Sequence, residues 1–310
     1  MKLPCAGIVL YIAIAPLFAQ QPGPPVKPPL VRENATVKVS EHVWVIPDDH
    51  VPMVPNVGII VGKSATLVID TGLGPRNAQA VLREVEKVGK RPELYLVTTH
   101  FHPEHAAGSS ALPPNAKFVL SRIQQQDLDE LGAGMMESFS RISPLHAELL
   151  KDVRFRKADV LFDREYTIHL GGVDVSLLSL GSTHTRGDTI AFVRQDRVLF
   201  AGDIVMNHAF LAFGKYSSTQ AWIDVLNRID RLKPVKVVPS HGSMGDASLT
   251  SQQRTVLQAL QARVRELKAQ GKTVEEAVAA IAAEFQAKYP DWTAPARLAP
   301  AVRTTFEETK

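Results

Sequence analysis

The segment of the chain with the greatest density of reactive side chains is residues 99–105, which read THFHPEH. Three imidazoles and a carboxylate stand too close together here to be buried without partners, so the segment is either a solvated histidine-rich loop or a metal site. The spacing favours a metal site, because His100 and His102 point the same way in an extended segment and can share one ion. Glu104 and His105 follow the proline at which the chain turns, and they can bind a second ion. Zn²⁺ accepts imidazole and carboxylate ligands and leaves a position open for water.

The N-terminus has the pattern of a secretory signal. Lys2 precedes an apolar stretch at residues 8–18, and the small residue Ala19 closes it. A membrane anchor is the alternative, but the stretch is short for a hydrocarbon core of about 30 Å, and Pro16 interrupts it. We therefore expect residues 1–19 to be a cleaved signal peptide of a periplasmic or secreted protein, with no stable membrane span after cleavage.

Removal of that signal would leave the chain without a thiol, because Cys5 is its one cysteine. Disulfides and thiolate ligands are then excluded, and any metal must be held by histidine and carboxylate. Residues 20–35 begin QQPGPPVKPPL and are predicted to be a Pro-rich linker without chemistry of its own.

The composition is that of an ordinary globular protein. Of the 310 residues, 45% are hydrophobic and 22% charged, which excludes collagen, coiled coil and long disorder for the body of the chain. The formal charge is only +3 and no basic run is present, so a nucleic-acid partner is not expected. We expect a small-molecule substrate, and no pattern indicates an oligomeric state.

Hydrophobic periodicity predicts the elements that position the histidine segment. Strands are predicted at residues 36–46, 57–61, 65–69, 94–97, 116–120, 160–162, 166–170, 173–180, 189–193, 197–200 and 235–238. Residues 98–108 are predicted to be a polar loop, and helices are predicted from Pro75, after residue 120 and at 218–232, with Trp222 in the core. Two similar halves of strands and helices predict an α/β fold of two sheets with helices outside. The helical residues 246–310 are expected to pack on this body.

Four further segments carry polar groups at predicted strand ends. They are residues 69–72 (IDTG), 183–188 (THTRGD), 200–203 (FAGD) and 239–242 (PSHG). Together with the histidine segment, in this order, they resemble the metallo-β-lactamase superfamily over residues 36–242. The resemblance implies an αβ/βα four-layer sandwich at residues 36–245, with C-terminal helices packed on it.

The same resemblance implies a ligand set for two Zn²⁺ ions. His100, His102 and His184 would hold the first ion, Glu104, His105 and His241 the second, and Asp203 would bridge both. The family usually has aspartate where Glu104 stands. The longer side chain leaves open a weak or differently coordinated second zinc, or a normal one if the loop adapts.

The implied activity is hydrolysis. A bridging aspartate such as Asp203 is typical of glyoxalase II-like, lactonase and nuclease members, and a secreted chain near neutral charge fits a nuclease poorly. We expect a metal-bound hydroxide to cleave a carbonyl ester, lactone or β-lactam-type bond, with Glu104 and Asp203 as catalytic groups. The alternatives are an iron oxidoreductase of the persulfide dioxygenase type, with one iron on two histidines and an aspartate, and a non-catalytic metal-binding protein.

Some polar residues near these motifs have other expected roles. Asp70 is expected to support a ligand histidine or its loop by hydrogen bonding. His208 and Tyr216 follow Asp203 in a predicted loop and are candidates for substrate contact or oxyanion stabilisation. The histidines without a motif are expected to be ordinary surface or core residues; they are His42, His50, His146 and His169.

Overall fold

The computed structural model describes residues 27–89 and 91–310. The predicted signal peptide, residues 1–19, and residues 20–26 of the predicted linker lie outside the described residues. Among the described residues, no helix combines the length and the apolar character needed to cross a bilayer.

The first sheet contains seven strands whose order in space follows their order in the chain. They are β1 (Val37–Lys38), β2 (Val43–Ile46), β3 (Val57–Val61), β4 (Ala65–Ile69), β5 (Glu93–Val97), β6 (Lys117–Ser121) and β7 (Val160–Phe162). Strands β1 to β4 are antiparallel and β4 to β7 parallel. The single strand predicted at residues 36–46 is wrong: the chain turns back after β1, and Val37 pairs with Val45.

The second sheet contains five strands in the order β12-β11-β10-β9-β8. They are β8 (Glu165–His169), β9 (Asp174–Ser179), β10 (Thr189–Val193), β11 (Val198–Gly202) and β12 (Lys236–Pro239). All neighbours are antiparallel except β11 and β12, which are parallel.

Eight α-helices surround the sheets within the described residues. They are α1 (Gly74–Val88), α2 (Pro103–Ala106), α3 (Arg122–Ser140), α4 (Pro144–Leu150), α5 (Thr219–Arg231), α6 (Ser248–Ala269), α7 (Val274–Lys288) and α8 (Leu298–Glu308). Two 3₁₀ segments follow α2 and precede α8. The polar loop predicted at residues 98–108 is wrong in part, because Pro103 at the first helical position favours the turn α2.

The fold has four layers, as predicted. The inner faces of the two sheets meet in one apolar cluster, in which Leu67 and Val97 of the first sheet lie with Leu177 and Phe200 of the second. A second cluster joins the outer face of the first sheet to α1 and α3, and a third joins the second sheet to α5 and α6. Trp222 is fully buried in the third cluster and donates its indole N–H to the Ile204 carbonyl at 2.9 Å, so its predicted core role is confirmed.

Both ends of the described chain are attached to this body. Residues before β1 are bound to α1, since the Val31 N–H donates to Asn77 Oδ1 at 2.7 Å and the Asn34 N–H to Glu84 Oε1 at 2.9 Å. At the other end, α6 to α8 form a cluster that includes Phe210, a residue of the loop after β11. The C-terminal helices therefore contact the loops at the edge of the sandwich.

Candidate metal centre

The residues predicted as metal ligands lie in loops at one edge of the sandwich. Residues 100–105 follow β5, His184 follows β9, Asp203 follows β11 and His241 follows β12. In the second sheet β9, β11 and β12 run in the same direction, so their carboxyl ends share one edge. This is the edge at which open α/β sheets place ligand sites.

His100, His102 and His184 form the first group. Their ligand nitrogens lie within 4.8 Å of one another. His184 Nε2 is 3.1 Å from His102 Nδ1. The two nitrogens are close enough to bind one cation between them, in which case neither carries a proton. The group can hold one metal ion with three imidazoles.

His105, Asp203 and His241 form a second group, with ligand atoms again within 4.8 Å of one another. Glu104 also faces it: its Oε1 is 3.7 Å from His105 Nε2. The carboxylate of Glu104 therefore reaches the histidine cluster, in which its nearest candidate partners are His100 and His105.

Asp203 lies between the two groups with one oxygen towards each. Its Oδ2 is 3.6 Å from His184 Nε2, whereas its Oδ1 is 3.7 Å from His241 Nε2 and 3.8 Å from His105 Nε2. A carboxylate so placed can bridge two metal ions. The structure thus brings together all seven predicted ligand residues; the first group is as predicted, whereas the carboxylate of Glu104 groups with His100 and His105.

Several polar atoms at the centre of this cluster are buried and have no hydrogen-bond partner. They are His100 Nε2, Glu104 Oε2, His105 Nε2 and Asp203 Oδ1. Leaving such atoms unpaired is costly, and native proteins rarely do so without an ion or water nearby. The donor set of imidazole nitrogen and carboxylate oxygen is the one that zinc prefers when no thiolate is present. The residues present therefore fit a pair of divalent cations.

Hydrogen bonds on the far side of the rings fix the orientation of three ligand histidines. Nδ1–H donates to Asp70 Oδ2 from His105 (2.9 Å), to the Ala212 carbonyl from His184 (2.6 Å) and to the Val54 carbonyl from His241 (2.9 Å). Each bond turns Nε2 of that ring towards the centre. Hydrogen-bond acceptors orient metal-binding histidines in the same way in other proteins. The expected supporting role of Asp70 is confirmed.

Asp70 is itself held in a conformation that few residues adopt. Its φ is +64°, in the left-handed region, where aspartate is tolerated better than most side chains. Its Oδ1 accepts the Thr99 N–H at 2.7 Å and its Oδ2 accepts the Thr99 hydroxyl at 3.0 Å. Asp70 thus fixes both His105 and the residue before His100.

Burial keeps two histidines of the first group unprotonated. It lowers the pKa of His100 well below the usual range, and the neighbouring His105 lowers it further. Burial also lowers the pKa of His102, with His184 adding to the effect. Both imidazoles are therefore neutral near pH 7, which is the form that binds metal.

The second group behaves differently because it contains carboxylates. Burial lowers the pKa of His105, but Asp70, Glu104 and Asp203 together outweigh burial and raise that pKa to about 9. Burial raises the pKa of the Glu104 carboxyl. Burial acts in the same direction on Asp203, yet the neighbouring His241 and His184 hold its pKa below the usual range. A cation entering this group displaces the proton of His105.

The centre opens into a cavity of about 730 Å³. Five of the seven ligand candidates line it: His102, Glu104, His184, Asp203 and His241. Part of its wall is apolar and is made by Val51, Pro52, Met53, Phe139, Met206, Ala209 and Ala212. The C-terminal residues Asp291, Thr293, Ala294 and Arg297 also line it.

The two candidates for substrate contact differ in their surroundings. His208 lines the cavity, with its ring stacked on Trp292 at 6.4 Å between centroids. Tyr216 is not among the residues that line the cavity; the Arg186 guanidinium lies 4.7 Å from its ring centroid. Tyr216 therefore contacts Arg186 through its ring and is not part of the cavity wall.

The histidines without a motif are mostly bound to other parts of the fold. His42 and His169 pair with Asp196 and Asp174, both at 2.7 Å, and His146 contacts Ser143. His50 is the exception, since it lines the cavity in a left-handed conformation with φ of +52°. Sequence reasoning missed His50 and Arg297 as cavity residues, because no spacing rule places a side chain from a distant loop.

Comparison with known proteins identifies the family. Residues 50–241 match the family described as the Metallo-beta-lactamase superfamily. The acyl-coenzyme A thioesterase MBLAC2 of Gallus gallus is 24% identical over 227 residues, covering 61% of this chain and 73% of that protein. The Homo sapiens protein of the same name is 23% identical over 210 residues, covering 60% and 72%.

Solved structures show the same fold. A metallo-beta-lactamase from Pontibacter korlensis superposes with a TM-score of 0.59 at 22% identity, covering 72% of this chain and 98% of that one. The stereoselective inverting sec-alkylsulfatase Pisa1 from Pseudomonas sp. superposes with a TM-score of 0.67 at 15% identity, covering 88% of this chain and 50% of that one. With the family match spanning more than half of its length, the chain belongs to the metallo-beta-lactamase superfamily.

Proposed function

We propose that this protein is a zinc-dependent hydrolase with two metal ions, which cleaves a carbonyl ester, lactone, thioester or β-lactam bond. The observation that carries the proposal is the position of Asp203, whose two oxygens face separate groups of histidines. This arrangement also argues against a single-iron oxidoreductase. One iron held by two histidines and an aspartate would not need Glu104, His105 and His241 as ligands.

The division of the ligand residues between the ions is the one that the family resemblance implies. His100, His102 and His184 would hold the first ion, with Glu104, His105 and His241 at the second and Asp203 between them. A pair of zinc ions, when bound, polarises a carbonyl oxygen and lowers the pKa of water towards neutrality.

Glu104 is the residue best placed to move a proton. Its carboxylate is 4% exposed and lines the cavity, and its Oε2 has no hydrogen-bond partner. Burial raises the pKa of this carboxyl, which favours a group that takes a proton and returns it to the leaving group. Glu104 Oε2 would orient the attacking water and carry its proton.

The walls of the cavity indicate the kind of substrate. The apolar wall that includes Val51, Met53 and Phe139 suits an acyl or ring portion, and His208 is the candidate for contact with its polar end. Thioesters belong in the proposal because two curated relatives are named acyl-coenzyme A thioesterases. The coenzyme A part of that name is not carried over, since an exported enzyme would not meet cytosolic thioesters.

The test is a hydrolysis screen of purified zinc-loaded protein against lactones, aryl esters, thioesters and β-lactams. We expect turnover of at least one class, with about two zinc ions per chain. His184→Ala should lose turnover and the first ion, whereas the control His169→Ala should keep both because His169 is exposed and pairs with Asp174. A wild-type protein that is active without metal, or a His184→Ala variant with normal metal content, would contradict the proposal.

We also propose that the protein is exported, on the pattern of residues 1–19 alone. N-terminal sequencing of protein recovered from its host should give a mature chain beginning near Gln20. Recovery of exported protein that retains Met1 would contradict cleavage.

A further inference from the structure

The C-terminal region supplies part of the cavity wall through a short docked segment. The Thr293 N–H donates to the His208 carbonyl at 2.8 Å, and the Phe210 N–H donates to the Thr293 carbonyl at 3.2 Å. Trp292 packs on both His208 and Phe210, with ring centroids 6.4 and 5.3 Å apart. The loop after Asp203 and the C-terminal segment therefore form one continuous surface.

A strained turn then directs the chain back towards the cavity. Ala294 has φ of +58° and ψ of +48°, a left-handed conformation that is unfavourable for a residue with a Cβ. The 3₁₀ segment Pro295–Arg297 follows, and the Arg297 N–H donates to the Ala294 carbonyl at 3.0 Å. Strain of this kind persists where the surrounding structure imposes it and is concentrated at functional sites. Its effect here is to bring Arg297 into the wall.

Arg297 is the one lysine or arginine among the residues that line this cavity. Its Nη1 donates to the Phe210 carbonyl and contacts Met206 Sδ, both at 3.1 Å, which anchors one side of the guanidinium. Within the described part of the chain it forms no salt bridge, and Nε and Nη2 have no acceptor. A planar group anchored on one side and free on the other is suited to bind an oxyanion in two-point fashion.

The carboxylates that share the cavity do not neutralise it. Asp203 and Glu104 face the histidine groups. Asp48 accepts the Gly242 N–H at 2.7 Å and the His50 N–H at 3.2 Å. Asp291 also lines the cavity and is exposed, and it makes no ion pair with the arginine. The Arg297 charge contributes to the lowered pKa of Asp203, but no carboxylate of the cavity forms an ion pair with the guanidinium, which therefore remains available to a ligand.

We propose that Arg297 forms an anion subsite, which binds a carboxylate or phosphate group that the substrate carries at a distance from the bond to be cleaved. This inference rests on the proposed hydrolase function. The subsite selects substrates, and it takes no part in bond cleavage. A chain of this fold that lacked the C-terminal segment would have the metal centre without this selectivity.

The test uses matched substrates that differ only in charge. One arm compares the mono-4-nitrophenyl ester of adipic acid with its methyl-capped ester, and the other compares S-acetyl-4′-phosphopantetheine with S-acetylpantetheine. Arg297→Gln should lower kcat/KM for the charged member of the preferred pair by about ten- to a hundredfold, through KM. The neutral member should change by less than about threefold, because it offers no anion for the guanidinium to bind. The arm with the larger effect identifies the anion as carboxylate or phosphate.

Two further variants separate binding from structure. Arg297→Lys keeps the charge and should recover part of the loss, and Arg303→Gln removes a charge from the same region at a salt bridge with Glu275, so it should change neither substrate. If Arg297→Gln slows both members of a pair equally, the residue only supports the loop of Met206 and Phe210, and the proposal is wrong.

A binding measurement keeps the inference independent of turnover. Calorimetric titration of metal-loaded protein with adipate and with inorganic phosphate should show binding of at least one of the two ions that Arg297→Gln weakens at least fivefold. Absence of any hydrolysis together with this binding would contradict the proposed function and leave the subsite supported. Equal binding of both ions by the wild type and by Arg297→Gln, or no binding of either, would overturn the subsite.

Discussion

The orientation of His105 depends on a single carboxylate. Asp70 accepts its Nδ1–H and also accepts two hydrogen bonds from Thr99. An asparagine at this position keeps the size and tolerates the left-handed backbone. Its amide can satisfy either the Thr99 N–H or His105, but it cannot accept at both oxygens. The ring of His105 would then lose the bond that points Nε2 at the second metal.

We therefore expect Asp70→Asn to weaken the second metal by about ten- to a hundredfold while changing the first by much less. Stepwise zinc titration with a competing chelator measures both affinities. Asp196→Asn is the matched control, because Asp196 contacts His42 at 2.7 Å and lies far from the centre. Equal weakening of both ions would mean that Asp70 supports the fold and not His105.

Glu104 offers a sharper test at the same scale. Pro103 and the bonds that the N–H groups of His105 and Ala106 donate to the His102 carbonyl, both 3.0 Å, fix the helical turn that carries it. Shortening the side chain by one carbon–carbon bond, about 1.5 Å, moves the carboxylate away from a site that the backbone cannot follow. We expect Glu104→Asp to lose the second zinc and most activity, since misplacement by about 1 Å costs roughly a hundredfold in rate.

The comparison for this prediction is Glu104→Gln, which keeps the length and removes the charge. Zinc titration with rates measured at each occupancy distinguishes the cases. A tighter second zinc in Glu104→Asp would mean that the usual geometry of the family is restored, against our expectation. Titration curves and rates identical to the wild type in both variants would mean that Glu104 is not a ligand.

At the scale of elements, α1 holds the N-terminal segment through Glu84. Its side chain is 2% exposed and accepts hydrogen bonds from the Asn34 N–H at 2.9 Å and the Thr36 hydroxyl at 2.5 Å. Burial raises the pKa of this carboxyl, but these bonds and Lys87 outweigh burial and lower it below 4.5. A carboxyl whose pKa is lower in the folded state stabilises the fold above its unfolded pKa.

We expect Glu84→Gln to lower the free energy of unfolding at pH 7 by about 1–3 kcal/mol, because buried donors lose a charged acceptor. The difference from wild type should be constant above about pH 5 and shrink as pH falls through the folded pKa. Urea unfolding at several pH values measures it. Glu93→Gln is the control, since Glu93 pairs with Lys117 at 3.7 Å on the surface and should change stability by less than about 1 kcal/mol. A difference that grows at low pH would contradict the assignment.

The elements also mark what could be read from the sequence. Strands β3, β4 and β10 have the predicted bounds, because they are mostly apolar runs buried on both faces. The turn between β1 and β2 was hidden inside an alternating pattern that reads equally well as one strand. Hydrophobic periodicity indicates which side chains are buried. It indicates a turn of the chain only where glycine or proline interrupts the pattern.

The candidate site also contains residues that the sequence predicts and residues that it does not. Its histidines and carboxylates could be predicted because their types are rare together and recur at strand ends. Arg297, His50 and Tyr216 could not be assigned, since their positions depend on how distant loops pack. Ala294 in a left-handed conformation is an example: a sequence of alanine and proline gives no sign of the turn that brings Arg297 to the cavity.

At the scale of the whole molecule, the candidate metal centre joins the two sheets. Four candidate ligand residues, from His100 to His105, follow β5 of the first sheet. The other three, His184, Asp203 and His241, follow strands of the second sheet. Bound ions would therefore tie the two halves of the sandwich together at one edge, and they would bind the folded chain and not the unfolded one.

We expect removal of metal to lower the stability of the whole fold and not only its activity. At a free zinc concentration about a hundred times the dissociation constant, each site adds about 2.7 kcal/mol. Both sites together should raise the unfolding midpoint by roughly 10 °C, because an unfolding entropy of about 2.1 cal/mol/K per residue gives slightly less than 2 °C for each kcal/mol in a chain of about 300 residues. Scanning calorimetry of metal-free protein at a series of zinc concentrations measures the shift, with magnesium as the control ion, because it binds imidazole poorly. Once the free zinc concentration exceeds the dissociation constants, the midpoint should rise with the logarithm of that concentration. A midpoint that stays constant while bound zinc rises to two per chain would mean that the unfolded chain binds zinc as tightly as the folded one, so that the histidine-rich segment would hold the ions without the ligands that the second sheet brings to it.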